Sequence, residues 1–159
     1  VMGGRVGDKI YIIDCKRLRI MGNVEKLEAI MEMMMEWGIV HKDQDKYFPT
    51  GSTVDIWSEA VAYQASLEAD FKRICLEEQG LYNLLWHPVK GFRGDKVARF
   101  RGIMGLFEQH KILFNKYRKF QALNDEIVNF GVSSHDDCVD ALVWLCNGLM
   151  SRGKLELEY

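Results

Sequence analysis

Three aspartates lie close together near the carboxyl end of the chain, at positions 136, 137 and 140. Residues three and four apart on a helix share a face, so Asp137 and Asp140 are neighbours and Asp136 also reaches Asp140. The apolar residues that follow predict a helix packed on a core: Leu142, Val143, Trp144, Leu145, Cys146, Leu149 and Met150. Two interpretations are open. The acids are solvated residues favoured by the positive end of the helix dipole, or they are oxygen ligands for Mg²⁺ or Mn²⁺.

A fourth acid, Glu59, closes a strand-like segment that begins at Thr53. Ligands of α/β sheets bind beyond the carboxyl ends of the strands, so we expect Glu59 to face the aspartate helix across one edge of the sheet. Its alternative role is that of an acidic first-turn residue in the next helix. Several convergent carboxylates are typical of two-metal phosphodiester cleavage, in which ions about 3.5–4 Å apart activate water and stabilise the leaving oxygen.

The densest basic stretch of the chain runs from Lys90 to Arg101 and combines glycines with a predicted helix start. Such a segment favours contacts with nucleic-acid phosphates, for which the candidates are Lys90, Arg93, Lys96 and Arg99. The alternative is a solvated loop and helix face. For Arg99 a further alternative is an internal ion pair near the acids.

Apolar periodicity predicts alternating strands and helices. The predicted strands cover residues 9–14, 53–59, 81–87 and 111–114, and the predicted helices cover 24–37, 60–78, 95–109 and 120–129, followed by the aspartate helix. We expect Asn23 to cap the first helix, and its inward residues to be Leu27, Ile30, Met31, Met34 and Met35. Residues 41–52 have the composition of an exposed connection. This alternation favours one α/β domain with a largely parallel sheet.

Composition limits the function classes. The formal net charge of -2 gives no overall basic signal, so nucleic-acid binding must use a local patch. The four cysteines form no C-x-x-C pair, which favours buried thiols in a reducing compartment and hence the cytoplasm. No apolar run is long enough to cross a bilayer, so we expect no membrane partner.

Four motifs occur in order along nearly the whole chain: Asp14-x-x-Arg17-x-Arg19, Ile56-Trp57-Ser58-Glu59, Asp95-Lys96-Val97-Ala98-Arg99 and His135-Asp136-Asp137-x-x-Asp140-Ala141-Leu142. In this set the chain resembles the carboxy-terminal nuclease domain of tailed-bacteriophage terminase large subunits. The resemblance implies a ribonuclease H-like fold with a central mixed, largely parallel sheet flanked by helices. It also implies cleavage of concatemeric viral DNA during genome packaging, with Mg²⁺ or Mn²⁺ held by an acidic triad. In that triad Glu59 resembles the second acid and Asp137 the third, with Asp136 and Asp140 as auxiliary or alternative ligands.

The same resemblance implies partners and a further acid. The implied partners are double-stranded DNA and, in a full-length phage or prophage protein acting in the bacterial cytoplasm, a packaging ATPase domain, the portal and the small terminase subunit. The family's first acid lies on an opening strand that we expect upstream of residue 1, so we expect this fragment to bind metal weakly and to cleave poorly. Asp8 and Asp14 are poor replacements, because Asp8 is a turn residue and Asp14 is expected to end its strand far from the site.

Two other functions remain open at the level of sequence. One is a Holliday-junction resolvase or another ribonuclease H-like nuclease, which would share the acids and lack an upstream ATPase. The other is a non-catalytic interaction domain, in which the acids are solvated and the methionine-rich helix around residues 31–35 faces a partner.

Overall fold

The computed structural model describes residues 1–19, 22–59, 64–89, 96–132 and 136–155. The chain divides into two compact units, one formed by residues 1–18 and 93–159 and the other by residues 19–92. The elements in chain order are β1 (Met2–Val6), β2 (Lys9–Asp14), α1 (Asn23–Glu36), β3 (Val40–Asp43), β4 (Lys46–Pro49), β5 (Val54–Glu59), α2 (Gln64–Phe71), β6 (Leu84–Val89), α3 (Lys96–Glu108), β7 (Ile112–Phe114), α4 (Gln121–Val128) and α5 (Asp137–Leu155).

The first unit contains a three-stranded sheet with β2 at its centre. Strand β2 pairs antiparallel with β1 and parallel with β7. Ile10 and Ile12 are buried while Tyr11 between them is exposed, because alternate side chains of a strand point to opposite faces. Gly3 permits a close approach here, since a Cβ at this position would lie 2.6 Å from the Tyr11 carbonyl oxygen and 2.9 Å from Leu145 Cδ2.

Helix α5 packs against β1, α3 and α4 in the same unit. Its residues Leu142 and Cys146 are completely buried and Val143 is 2% exposed. The prediction of a terminal helix lying on a core is therefore confirmed, and its aspartates are attached to one of the best-buried elements of this unit.

The second unit contains the parallel pair β5–β6 and the antiparallel hairpin β3–β4. Helix α1 packs against α2 and β3. Met31 and Met34 are 2% and 3% exposed, so these methionines belong to the core of this unit. Met35 is 41% exposed, and its predicted inward position is wrong.

Three predicted features of the second unit differ from the structure. Residues 41–52 are not simply a connection, because they contain β4 and all of β3 except its first residue, and Tyr47 packs inward, 6% exposed. Asn23 does not cap α1, since Gly22 occupies that position without a side-chain bond. The predicted helix 60–78 continues beyond α2 as a π-helical segment, Lys72–Glu78, while residues 60–63 lie outside the described residues.

A mixed α/β architecture is confirmed, but the described strands form three small sheets: β1-β2-β7, β3-β4 and β5-β6. The described strands therefore do not form the single, largely parallel sheet that we expected. Parallel pairing does occur in two of the three sheets. No helix in the described part of the chain combines the length and apolarity needed to cross a membrane.

Candidate active site

The aspartates occupy the amino end of α5 as the sequence predicted. Asp137 is the first residue of the helix and is exposed, whereas Asp136 and Asp140 are half-buried. The Asp140 amide donates to the Asp136 carbonyl oxygen at 2.9 Å. His135, the first residue of the motif, lies outside the described residues.

Glu126 of α4 fixes the start of α5. Its side chain is 4% exposed, and its Oε2 accepts the backbone N–H groups of Cys138 at 2.7 Å and Val139 at 3.2 Å. The first N–H groups of a helix have no partner within the helix and carry partial positive charge. A carboxylate both accepts their hydrogen bonds and balances that charge. Arg17 lies 3.5 Å from the other oxygen, Oε1. Glu126 is therefore a long-range cap that positions Asp137 and its neighbours.

Arg99 of α3 forms an ion pair with Asp140, with 3.5 Å between the guanidinium and Oδ1. The two side chains are 12% and 20% exposed, so the charges are partly withdrawn from water and their attraction is screened less than at the surface. This is the internal ion pair that we gave as the alternative to a DNA contact for Arg99. Asp140 is consequently charge-balanced by the protein, whereas Asp137 is exposed to solvent.

The carboxyl end of β2 lies beside the start of α5. Interaction with the Cys138 thiol lowers the pKa of the Cys15 thiol to about 7. The same interaction, together with burial, raises the pKa of Cys138. Arg17, three residues after Asp14, lies 3.5 Å from Glu126 Oε1, so the chain that leaves β2 runs next to the start of α5. Asp14 itself is 6% exposed, accepts the Cys15 N–H at 2.8 Å and lies 3.9 Å from Arg118.

Glu59 is the last residue of β5 and is half-buried. Strand alternation puts Asp55, Trp57 and Glu59 on one face of the parallel pair, and Trp57 is directly opposite His87 on β6. His87 Nε2 lies 2.6 Å from Asp55 Oδ1, and the His87 ring stacks on Trp57 with 5.8 Å between centroids. The predicted strand position of Glu59 is confirmed, while this Asp55–His87 pair beside it was not predicted.

The side chains of the other basic residues predicted to contact DNA are not described by the structure. Lys90 and Arg93 lie outside the described residues, and Lys96 begins α3 with a side chain that is likewise not described. Glu59 belongs to the second compact unit, whereas the three aspartates and Arg99 belong to the first.

The donor chemistry fits a hard divalent ion, because exposed and half-buried carboxylate oxygens are the ligands that Mg²⁺ and Mn²⁺ prefer. Within the described residues, however, no three or more His, Cys, Asp or Glu side chains are gathered closely enough to hold an ion. Among the three aspartates, Asp137 is the one most open to solvent.

Sequence reasoning missed Glu126, although a signal was present. Glu126 lies three residues after Leu123 and four before Phe130, so it occupies the apolar face of α4. A carboxylate on such a face requires a buried partner. The partner is supplied by the amide groups of α5 and by Arg17.

Comparison with known proteins identifies the class. A family model described as the terminase RNaseH-like domain matches residues 1–149. The chain therefore belongs to the terminase RNaseH-like domain family, a nuclease-type domain, as the ordered motifs predicted. Neither a curated protein nor a solved structure matches the chain.

Proposed function

We propose that this chain is the metal-dependent endodeoxyribonuclease domain of a phage or prophage terminase, which cuts concatemeric double-stranded DNA during genome packaging. The observation that carries the proposal is membership of the terminase RNaseH-like domain family over residues 1–149. It is supported by the exposed carboxylate of Asp137 at the start of a well-packed helix.

Four carboxylates of this chain are the proposed ligands for Mg²⁺ or Mn²⁺. Glu59 and Asp137 are the principal ones, and Asp136 and Asp140 are auxiliary. Asp137 is exposed to solvent, which leaves its carboxylate accessible to a cation. Asp140 is held by Arg99 at 3.5 Å, which lowers its availability and supports a secondary role. When bound, the ions supply an activated water and stabilise the leaving oxygen of the phosphodiester.

Glu126 and Arg99 support this site through contacts within the protein. Glu126 holds the first amides of α5, which fixes the backbone on which Asp137 is carried. Arg99 balances the charge of Asp140 and so reduces repulsion among neighbouring carboxylates. The proposed phosphate contacts are Lys90, Arg93 and Lys96, with Arg99 contributing if its pair with Asp140 opens.

The proposed partners follow from the family. They are double-stranded DNA and, in a full-length protein, a packaging ATPase domain, the portal and the small terminase subunit. A resolvase would carry a similar acidic set, and the family match supports a terminase instead.

The experiment is Mn²⁺-dependent nicking of supercoiled plasmid DNA. We compare residues 1–159 with the longest form that the gene encodes, and we expect Mn²⁺-dependent nicking from the longer form. In that longer form, Asp137→Asn is expected to abolish nicking. The matched control is Asp125→Asn, which removes one exposed acid on α4 and leaves nicking unchanged.

Equal nicking by the longer form and its Asp137→Asn variant would contradict the proposal. Failure of the longer form to bind Mn²⁺ in titration calorimetry would instead support a non-catalytic interaction domain.

A further inference from the structure

The chain segments that follow β2 and β7 lie side by side at one edge of the three-stranded sheet. The two strands are parallel, with Ile12 opposite Phe114, so their carboxyl ends meet at that edge. The Asn115 backbone N–H donates to the Ile12 carbonyl oxygen at 2.9 Å, and the Asn115 side-chain amide donates to the Ile13 carbonyl oxygen at 3.3 Å. The turn after β7 is thereby tied to the end of β2.

The turn after β7 is also held by bonds of its own. The Tyr117 backbone N–H donates to Asn115 Oδ1 at 3.1 Å, and the Arg118 backbone N–H donates to the Asn115 carbonyl oxygen at 3.1 Å. The side chains of Lys116 and Lys119 are exposed, and Tyr117 is 84% exposed. Two ammonium groups and a phenol are therefore presented to solvent on a turn of defined shape.

Positive charge is concentrated in these two segments, residues 14–18 and 115–119, which we call the basic edge. Their only acid is Asp14, in a chain whose formal net charge is -2. Asp14 is 6% exposed and lies 3.9 Å from the Arg118 guanidinium, so its charge is withdrawn from the surface. The basic edge carries five basic side chains: Lys16, Arg17, Lys116, Arg118 and Lys119.

We propose that the basic edge is a second contact surface for the phosphate backbone of duplex DNA, additional to the segment from Lys90 to Arg101. Lysine, arginine and tyrosine side chains are common donors to phosphate oxygens. Surfaces for single strands stack successive bases on several aromatic rings, whereas Tyr117 is the only aromatic residue of the basic edge. Charge with a single aromatic ring fits the backbone of a duplex better than a row of unpaired bases.

The basic edge adjoins the start of α5. Arg17 lies 3.5 Å from Glu126 Oε1, while Glu126 Oε2 accepts the N–H groups of Cys138 and Val139. All of these residues belong to the same compact unit. DNA held on the basic edge is therefore held close to the helix that begins at Asp137. The choice of DNA as partner rests on the proposed function, but binding itself requires neither a metal ion nor cleavage.

The test is binding of a short, fluorescently labelled DNA duplex in EDTA, measured by anisotropy at several salt concentrations. Each phosphate contact releases condensed counterions. We expect the double variant Lys116→Gln, Lys119→Gln to bind roughly tenfold more weakly at about 0.1 M salt, with a slope of log affinity against log salt smaller by about 1.8. The matched control is Lys9→Gln, Lys111→Gln, which removes the same charge at the opposite ends of β2 and β7 and is expected to leave the slope unchanged.

A second measurement uses the unaltered chain and does not depend on how a variant folds. Lysines are acetylated with and without the duplex and then quantified by mass spectrometry. We expect the duplex to protect Lys116 and Lys119 and to leave Lys9 reactive.

Three results would overturn the basic edge and leave the proposed function standing: equal loss of binding in the two double variants, no protection of Lys116 and Lys119 by a duplex that does bind, or tighter binding of a single strand of equal length. A chain that binds no duplex DNA would overturn both proposals.

Discussion

Replacing Glu126 with alanine tests whether the start of α5 is held by a residue of another helix. The change removes the oxygen that accepts the Cys138 and Val139 amides at 2.7 Å and 3.2 Å. It also deprives Arg17 of the carboxylate 3.5 Å away. We expect a less stable protein, because two amides at a buried helix start lose their acceptor.

The magnitude follows from these contacts. Loss of a helix cap costs about 0.5–2 kcal/mol, and each buried donor left without a partner costs about 1–3 kcal/mol. Arg17 is 30% exposed, so water compensates it and its loss adds little. We therefore expect Glu126→Ala to lower the free energy of unfolding by about 3 kcal/mol, and Glu126→Gln, which keeps a neutral acceptor, by about 1 kcal/mol.

The assay is urea unfolding at neutral pH, monitored by circular dichroism, together with thermal melting. For a chain of this size, about 3 kcal/mol corresponds to a melting temperature roughly 6–12 °C lower. The matched control is Asp125→Ala on the exposed face of the same helix, where the effect is expected to stay within about 0.5 kcal/mol. Equal effects of Glu126→Ala and Asp125→Ala would refute the capping role.

Three other substitutions give distinct outcomes. Arg99→Ala removes the guanidinium that lies 3.5 Å from Asp140 Oδ1, so we expect a lower melting temperature. Lys96→Ala is expected to leave melting unchanged and to reduce the salt dependence of DNA binding by about one charge in filter-binding titrations. The opposite assignment of the two effects would contradict this account. The Asn23 side-chain amide donates to Asp70 at 2.9 Å, and this hydrogen bond lowers the pKa of the Asp70 carboxyl. Asn23→Ala removes it. A carboxyl whose pKa is lower in the folded protein stabilises the fold at pH values above its ordinary pKa of 3.8, and this stabilisation is lost as pH falls through the folded pKa. Urea unfolding is therefore expected to show a stability difference between the unaltered protein and Asn23→Ala at pH 7 that shrinks in acid. A difference that grows in acid would contradict the assignment.

Local patterns allowed much of the fold to be predicted. Strand β2, strand β5 and helices α1 and α5 were predicted because their apolar residues recur with the period of the element they form. The hairpin β3–β4 was missed because its sequence is mostly polar and charged, and chiefly Val40 and Tyr47 pack inward. A short hairpin with so few buried positions gives too weak an alternation to be recognised.

The acids of the candidate site could be predicted from the sequence, but the residues that hold them in position could not. Asp137 and Glu59 were found because acids at a helix start and at a strand end are visible in one sequence. The cap from Glu126 depends on how α4 packs beside the start of α5, and no local pattern encodes that arrangement. The ion pair of Arg99 with Asp140 was foreseen only as an alternative to a phosphate contact.

The most direct test of the central claim is a crystal structure of the domain with bound Mn²⁺, located by its anomalous scattering. If Glu59 and Asp137 are principal ligands of one site, a Mn²⁺ ion will lie about 2.0–2.6 Å from a carboxylate oxygen of each residue. If their carboxyl groups are instead more than about 10 Å apart, or if Mn²⁺ binds elsewhere, these residues cannot share an ion at such distances and the proposed metal-dependent mechanism is contradicted.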